Sequence, residues 1–292
     1  MGAGLDRDQG VAAALWRRPR LQLSLLLAGP VGWLVIAYLG SLAVLFVAAF
    51  WRLDTFTGEV VQDYGIGNFR TLVENDVYRS IVLRTVLIAA AVTVTDALLA
   101  FPIAFYMAKV ARPRVRALLV IAVVMPLWSS YLVKVYSWRI ILATDGILNW
   151  ALDPFGLTGP GFGNVATWLV FSYLWLPYMI LPIYAGLERI PGSLLDASGD
   201  LGAGAGHTFR RVVLPLALPA VVAGSIFTFS LTLGDYITPQ IVSSTQFIGN
   251  VVYTNVGVAN NLPLAAAFAT VPVVIMILYL LGARRLGAFE SL

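Results

Sequence analysis

Six long, nearly uncharged apolar segments constrain the fold of this chain more than any other feature. A transmembrane helix needs about 20 mainly apolar residues, and each segment is close to that length. Of the 292 residues, 59% are hydrophobic and 12% are charged, which is too apolar for a soluble domain of this size. We therefore predict an all-α, polytopic membrane protein. The predicted spans are residues 21–50, 85–107, 117–137, 165–187, 212–233 and 264–281.

Basic residues between these segments predict the orientation of the chain. They cluster before the first span, in alternate loops and after the last span, whereas most of the acidic residues outside these clusters lie in residues 51–80. Basic loops tend to stay in the cytoplasm, so both termini are predicted to be cytoplasmic. The expected organisation is an amino-terminal arm (1–20), a six-helix membrane domain (21–287) with a cytoplasmic loop (188–211), and a short tail (288–292).

The composition excludes several kinds of chemistry. The chain has no cysteine and a single histidine, His207, so thiolate and histidine-rich metal sites lack the residues they require. No Gly-x-x-x-x-Gly-Lys-Ser/Thr phosphate loop occurs, so a separate subunit would have to bind ATP if ATP drives this protein. A membrane-embedded enzyme is a poor interpretation, because no paired carboxylates or Ser/His arrangement converge in the spans.

The loop between the fourth and fifth spans carries the most informative pattern. Ser193, with Asp196 three residues later, has the form of a capping box that begins a helix. A glycine-rich stretch from Gly202 to Gly206 then interrupts that helix. We predict two short helices at an angle, rigidly joined to two spans. Such an element can transmit movement from a soluble motor to the membrane bundle, although a plain connector would share its turn signals.

The spacing within this loop resembles the EAA motif of type I ABC-importer permeases. In that motif Glu-Ala-Ala is followed after three residues by Gly, and after nine more by Ile-x-Leu-Pro. The chain has Asp196-Ala197-Ser198, then Gly202, then Val212-x-Leu214-Pro215. The resemblance implies a MetI-like fold and a loop on which a separate ATPase docks. The residues that it assigns to this coupling surface are Asp196, Ala197, Ser198, Leu201, Gly202, Leu214 and Pro215.

Four further segments carry a second resemblance: Met125-Pro126-Leu127-Trp128, Gly146-Ile147-Leu148-Asn149, Leu233-Gly234-Asp235-Tyr236 and Ile248-Gly249-Asn250. They are similar to segments of the spermidine/putrescine permeases PotB and PotH, and the resemblance extends from about Asn68 to the carboxyl terminus. It implies a polyamine importer in which this permease pairs with a second, related permease, an ATPase dimer and an extracytoplasmic solute-binding protein. In such a complex this chain holds no cofactor, because ATP and magnesium bind to the ATPase subunits.

Ionisable and aromatic residues of the spans are candidates for contact with a solute. A charge at mid-bilayer costs at least about 2.5–3.5 kcal/mol on insertion scales, so such residues are usually functional. Carboxylates would balance the charge of a polyamine, and aromatic rings would give cation–π contacts. Aromatic residues at span ends also form ordinary interfacial belts. The predicted path residues are Asp235, Tyr236, Trp128, Tyr131, Tyr136 and Asp96.

Two alternatives to polyamine import stay open at this stage. The same architecture would also suit an amino-acid derivative, a compatible solute or ferric iron. An ion-coupled secondary carrier would use Asp96 as a proton or sodium site, and the lack of an obvious inverted repeat counts against it. The affinity of a partner binding protein separates the cargoes, and dependence on ATP separates the mechanisms.

Overall fold

Helices dominate the structure, a computed structural model that describes residues 19–285. Five of the described helical segments are long and apolar enough to cross a membrane, and a bent pair makes six if it forms one span. Residues 1–18 of the predicted arm and the whole predicted tail lie outside the described residues. The candidate spans are Gln22–Ala48, Asp76–Val110, Asn164–Arg189, Ala205–Gly234 and Leu262–Arg285, with Pro113–Trp128 and Tyr131–Leu142 as the bent pair.

The elements follow one another with short connections. A small antiparallel ribbon on the outer side pairs β1 (Arg52–Leu53) with β2 (Val60–Val61), with Arg52 opposite Val61. Three π-helical turns, Leu34–Leu39, Tyr106–Val110 and Phe209–Val213, adjoin longer helices. The helices are α1 (Pro19–Trp33), α2 (Gly40–Ala48), α3 (Gly67–Glu74), α4 (Asp76–Phe105), α5 (Pro113–Trp128), α6 (Tyr131–Leu142), α7 (Ile147–Leu152), α8 (Asn164–Arg189), α9 (Gly192–Asp200), α10 (Ala205–Thr208), α11 (Leu214–Gly234), α12 (Ile237–Val242), α13 (Ile248–Gly257) and α14 (Leu262–Arg285).

Three membrane helices, α4, α8 and α11, form the centre of the bundle. Ala104 of α4, Ile183 of α8 and Ala217 of α11 belong to one fully buried cluster. A Cβ built at Gly186 of α8 would lie 2.3 Å from the Cβ of Ala220 on α11. The two helices are therefore in close contact, as small residues permit where lipid provides no hydrophobic driving force for association. Below, the inner side is the side of α9, predicted to be cytoplasmic, and the outer side is the opposite one.

The first span makes few contacts with the rest of the chain. Its outer end packs through Ala48 against Ala266 and Ala267 of α14. Most of its other side chains are exposed, and Trp33 and Ile36 are each 76% exposed. This apolar surface is therefore left for lipid or for another subunit to cover.

The structure of the third span differs from the single helix predicted at 117–137. Helices α5 and α6 meet at an angle of 92°, where Ser129 has an extended backbone. The carbonyl oxygen of Pro126 accepts hydrogen bonds from the Ser129 hydroxyl at 2.8 Å and from the Lys134 ammonium at 3.1 Å. Both bonds satisfy one of the carbonyls that are left open where α5 stops inside an apolar segment.

The helix of the second span begins earlier than predicted. It starts at Asp76 rather than near residue 85, because the Asn75 side chain accepts a hydrogen bond from the N–H of Val77 at 2.9 Å. This is a regular amino-terminal cap. The extra turns carry charged residues and extend beyond the apolar stretch that hydropathy detects.

Candidate functional site

The loop after α8 folds into two helices that are separated at Gly202, as predicted. The backbone of Gly202 has a φ of +78°. Its N–H donates to the carbonyl of Gly199 at 2.8 Å, and the N–H of Ala203 donates to the carbonyl of Ser198 at 3.0 Å. This pair of bonds is the Schellman motif, in which a residue in the left-handed region ends a helix. Gly202 adopts that conformation without steric cost and so sets the angle between α9 and α10.

The predicted capping box at Ser193 and Asp196 is wrong. Helix α9 begins at Gly192 with Pro191 as its N-cap residue, and no side chain caps it. Ser193 therefore lies inside the first turn, where its hydroxyl is not placed to accept from the turn that follows. Asp196 is exposed on the helix and remains available for a contact outside the chain.

A hydrogen bond between side chains joins the two loop helices. The hydroxyl oxygens of Ser198 and Thr208 lie 2.8 Å apart, and both residues are half-buried. Leu195, also half-buried, packs against the central cluster of the bundle. Ser198 thus holds the loop together from the inside and is not part of its outer surface.

The outward face of α9 presents an apolar stripe. Leu194, Ala197 and Leu201 are all exposed, and Leu201 is 89% exposed. Their spacing of three and then four residues puts them on one side of the helix, next to Asp196. Exposed apolar side chains grouped on one face, with a charged residue beside them, are typical of a protein–protein contact.

Aromatic packing attaches this loop to α4. The ring of Phe209 meets the rings of Phe101 and Phe105 edge-on, with centroids 5.5 and 6.2 Å apart. Val213, in the same π-helical turn, is buried in the central cluster with Met107. A displacement of α10 must therefore move the inner end of α4, because closely packed groups transmit strain.

Polar contacts attach the same region to α5 and α8. The Lys109 ammonium donates to the carbonyl of Ile190 at 2.6 Å. Arg116 of α5 donates to the Glu188 carboxylate at 3.3 Å and to the carbonyl of Ala108 at 3.2 Å. These bonds cross the ends of three helices, so the inner side of the bundle and the loop form one mechanical unit.

Leu214 and Pro215 lie at the start of α11 rather than on the outward face of α9. Both are exposed. Pro215 occupies the first turn of α11, directly after the π-helical turn Phe209–Val213. Proline has no backbone N–H to donate, which is tolerated in the first turn of a helix. The wider hydrogen-bond spacing of the preceding π-helical turn accommodates the missing donor.

On the outer side, Tyr131 and Asp235 are in direct contact. The Tyr131 hydroxyl donates to Oδ2 of Asp235 and lies 2.7 Å from the hydroxyl of Thr238. The N–H of Thr238 donates to Oδ1 of Asp235 at 2.9 Å. Asp235 therefore joins the start of α6 to the link between α11 and α12, and both of its oxygens accept hydrogen bonds in this conformation.

Helix α13 packs against the same link. The ring of Tyr236 stacks on that of Tyr253 with centroids 4.7 Å apart, and its carbonyl accepts from the Asn250 side chain at 2.8 Å. A Cβ at Gly249 would lie 2.9 Å from the carbonyl oxygen of Asp235. Glycine and asparagine at these positions thus allow α13 to approach the Asp235-Tyr236 backbone.

Two of the predicted path residues lie apart from this cluster. Trp128, at the end of α5, is 88% exposed, and Tyr136 on α6 is 50% exposed. Neither forms a ring contact with another described residue. Tyr131 stacks instead on Trp175 of α8, with centroids 6.1 Å apart. Both exposed rings are available to lipid, solute or another subunit.

Asp96 is enclosed within the bundle. It has no exposed surface, and neither of its carboxylate oxygens has a hydrogen-bond partner among the described residues. The hydroxyl of Ser172 on α8, which faces it, is also without a hydrogen bond within the same part of the chain. In this conformation Asp96 cannot contact a solute unless α4 and α8 rearrange. Within residues 19–285 no three His, Asp or Glu side chains are close enough to hold a metal ion.

Sequence reasoning did not find the partners that position these residues. Thr208 and Phe209 hold the loop between α8 and α11 in place, and Thr238 completes the contacts of Asp235. The position of Phe209 directly before two arginines at the inner end of a span was a usable signal. The pairing of Tyr131 with Asp235, which are 104 residues apart, leaves no local pattern in a single sequence.

Sequence comparisons find a matching family and named permease relatives. Residues 89–288 match the family described as binding-protein-dependent transport system inner membrane component. The chain is 48% identical over 298 residues to the inner membrane ABC transporter permease protein YdcU of Escherichia coli (strain K12), covering 97% of this chain and 95% of YdcU. It is 30% identical over 210 residues to the spermidine/putrescine transport system permease protein PotB of Haemophilus influenzae, covering 70% and 73% of the two chains.

Structure comparisons find the same fold in two solved transporters. A chain of a bacterial alginate ABC transporter, in complex with a periplasmic protein bound to an alginate pentasaccharide, has a TM-score of 0.73 at 15% identity, covering 94% of this chain and 96% of that one. A chain of the MetNI methionine ABC transporter has a TM-score of 0.52 at 19% identity, covering 70% and 93%. The predicted all-α, MetI-like permease fold is therefore confirmed.

The family match, the YdcU match and the helical fold agree with one another. The family model spans more than half of the chain, and the match to YdcU spans nearly all of it. The chain thus belongs to the binding-protein-dependent transport system inner membrane components, and it is a multi-pass inner-membrane permease subunit of an ABC importer.

Proposed function

We propose that this permease forms the translocation path for a polyamine such as spermidine or putrescine. It does so with a second, related permease, a dimer of ATPase subunits and an extracytoplasmic solute-binding protein. ATP and magnesium bind to the ATPase subunits, and this chain contributes the coupling loop and one wall of the path.

The outward face of α9 is the observation that carries the coupling role. Leu194 and Leu201 leave an apolar stripe in water beside the carboxylate of Asp196. When a partner covers such a stripe, the free energy of binding gains about 25 cal/mol for each Å² of apolar surface removed from water. The residues that face the ATPase are Asp196, Ala197 and Leu201, while Ser198 and Gly202 maintain the shape of the loop. Leu214 and Pro215 carry the motion into α11.

The path of the motion follows from the contacts of the loop. A push on α9 passes through the Ser198–Thr208 bond to α10 and then through Phe209 to α4. Lys109 and Arg116 link the same motion to α8 and α5. Four membrane helices thus respond together, as alternating access requires.

The exposed surface of the first span is evidence for a second permease in the complex. Within residues 19–285, its apolar side chains pack on another membrane helix near Ala48, and most of the others are exposed. A second permease of the same fold offers a membrane-embedded surface against which this helix can pack. The path would then lie between the two permeases, which agrees with the burial of Asp96 inside a single subunit.

The polyamine assignment rests on the outer cluster and on the relatives. PotB of Haemophilus influenzae is named as a spermidine/putrescine permease. In this chain the Asp235 carboxylate accepts from the Tyr131 hydroxyl, Tyr236 follows it in the chain, and Trp128 and Tyr136 are exposed at the same end of the bundle. An ammonium group can bind both to a carboxylate and to aromatic faces. Contact with Asp235 requires the Tyr131 bond to open during transport.

A different small solute is the second candidate. Both oxygens of Asp235 already accept hydrogen bonds from Tyr131 and Thr238, which favours a purely structural joint at this position. An amino-acid derivative or a compatible solute would then cross the same permease without using the Asp235 charge. The burial of Asp96 does not favour an ion-coupled carrier, because its side chain has no surface exposed to either side of the membrane.

Cargo identity is tested with the binding protein and the assembled complex. The binding protein is titrated calorimetrically with spermidine, putrescine, a compatible solute and ferric iron. Uptake of the tightest ligand is then measured in proteoliposomes loaded with ATP, with and without an ionophore. We expect micromolar or tighter binding of a polyamine alone, and uptake that requires ATP and survives the ionophore. Tight binding of another ligand only would replace the polyamine, and uptake without ATP would remove the importer mechanism.

The coupling role predicts a sharp effect at Gly202. Gly202→Val places a β-branched residue at a φ of +78°, which costs about 1–2 kcal/mol and is relieved by a change in the angle between α9 and α10. We expect the complex to assemble but to lose most of its solute-stimulated ATP hydrolysis and uptake. The control is Gly204→Val, because Gly204 has an extended backbone at φ −67° and open space around its Cα. Equal activity of the two variants would contradict the role given to Gly202.

The solute contact at Asp235 is separable from its structural contacts. Asp235→Asn removes the charge but keeps the shape of the side chain, whereas Tyr131→Phe removes the hydrogen bond and keeps the charge. Because charge-assisted bonds contribute about 1.5–3 kcal/mol, we expect Asp235→Asn to lower polyamine uptake about tenfold or more without loss of assembly. Tyr131→Phe should change uptake far less. Matching losses of uptake in both variants, together with lower melting temperatures, would indicate a structural joint instead.

A further inference from the structure

An apolar groove opens between α4 and α11 near the inner side of the bundle. Its volume is about 530 Å³. The residues that form its walls include Leu98, Phe101 and Phe105 of α4 and Leu218 and Val221 of α11. Leu98 and Leu218 are exposed and lie within apolar spans, so the groove opens at membrane depth rather than into water.

A cationic cavity adjoins the inner end of this groove. It has a volume of about 740 Å³ and is lined by His207, Phe209, Arg210 and Arg211. Phe209 lines both spaces, so they lie on either side of its side chain. Arg210 and Arg211 are exposed, and neither pairs with an acidic side chain within residues 19–285.

We propose that the groove and the two arginines bind one anionic phospholipid of the inner leaflet. An acyl chain lies in the groove between α4 and α11, and the phosphate is held by Arg210 and Arg211. An anionic lipid matches both parts of this site, because its charged head group lies at the membrane surface and its acyl chain lies in the apolar core. Basic pockets between membrane helices on the cytoplasmic side are known to hold such head groups.

The two halves of the site favour a lipid over other occupants. A soluble ATPase can reach the arginines but not a groove whose walls lie within the spans. A helix of a second permease can fill the groove, but it supplies no phosphate to the guanidinium groups of Arg210 and Arg211, which pair with no acidic side chain of the described residues. Arginines beside a span also help to fix topology, but that role requires no groove next to them.

The position of the site suggests what the lipid does. Phe209 forms the wall between groove and cationic cavity, and it is also the residue that packs on Phe101 and Phe105. A bound lipid therefore touches the joint between the coupling loop and α4. Occupancy of the site should stiffen this joint and raise the ATP hydrolysis that solute stimulates.

Lipid retention by the assembled complex tests the site. The complex is delipidated, incubated with phosphatidylglycerol or with phosphatidylcholine of the same acyl chains, and analysed by native mass spectrometry. We compare the wild type with the double variant Arg210→Gln/Arg211→Gln. The matched control is Arg284→Gln/Arg285→Gln, which removes an exposed arginine pair at the inner end of α14. We expect phosphatidylglycerol to bind about thirtyfold more weakly to the first variant, from about 1 kcal/mol for each arginine, and unchanged binding to the control.

Further experiments distinguish a bound lipid from other occupants of the groove. Leu218→Trp fills the groove and should weaken phosphatidylglycerol binding while leaving both arginines in place. Excess inorganic phosphate should not displace the lipid, because phosphate has no acyl chain to bury. Equal loss in both arginine variants, full displacement by phosphate, or unchanged binding in Leu218→Trp would each overturn the proposal. So would efficient cross-linking of a Leu98→Cys variant to a helix of the second permease, which the absence of other cysteines makes straightforward to detect.

Discussion

Every backbone polar group within a bilayer must find its partner inside the protein, and the rest of this structure depends on that constraint. Helices satisfy it along the spans, so each interruption needs its own hydrogen bonds. At the end of α5 the hydroxyl of Ser129 and the ammonium of Lys134 donate to a backbone carbonyl, and at the start of α12 the carboxylate of Asp235 accepts from the N–H of Thr238. Gly202, Tyr131 and Asp235 lie at or next to such interruptions, where the chain changes direction, whereas Asp96 lies inside α4.

The mechanical role that we propose for the loop between α8 and α11 depends on its contacts with the rest of the bundle. Its own contribution is small, two brief helices and the turn at Gly202. Its connections to the bundle through Phe209 and Lys109 are half-buried, and they reach helices far apart in sequence. A soft connector would absorb a push on α9, whereas we propose that these contacts transmit it. The exposed stripe that includes Leu201 is the surface that we propose the ATPase contacts.

Much of the fold could be predicted from the sequence, because membrane spans depend on a property that is summed over 20 residues. Hydropathy also hid the bend at Ser129, since a window that long averages over two serines in an apolar segment. The break at Gly202 was predictable because glycine is the residue that the left-handed turn requires. The capping box at Ser193 was not formed, because the helix starts at Gly192 instead. The contact between Tyr131 and Asp235 depends on packing between distant spans, and the enclosure of Asp96 becomes visible only when α8 is in place.

The docking of a motor on α9 can be measured directly with a cysteine at Leu201, introduced into a chain that has none. A second variant carries the cysteine at Val258, which is also exposed but lies on the outer side. In the assembled complex, we expect Leu201→Cys to cross-link to the ATPase subunit and to be protected from maleimide labelling, and Val258→Cys to do neither. Labelling of Leu201→Cys as fast in the complex as in the isolated permease, with no cross-link to the ATPase, would contradict the coupling role of this loop.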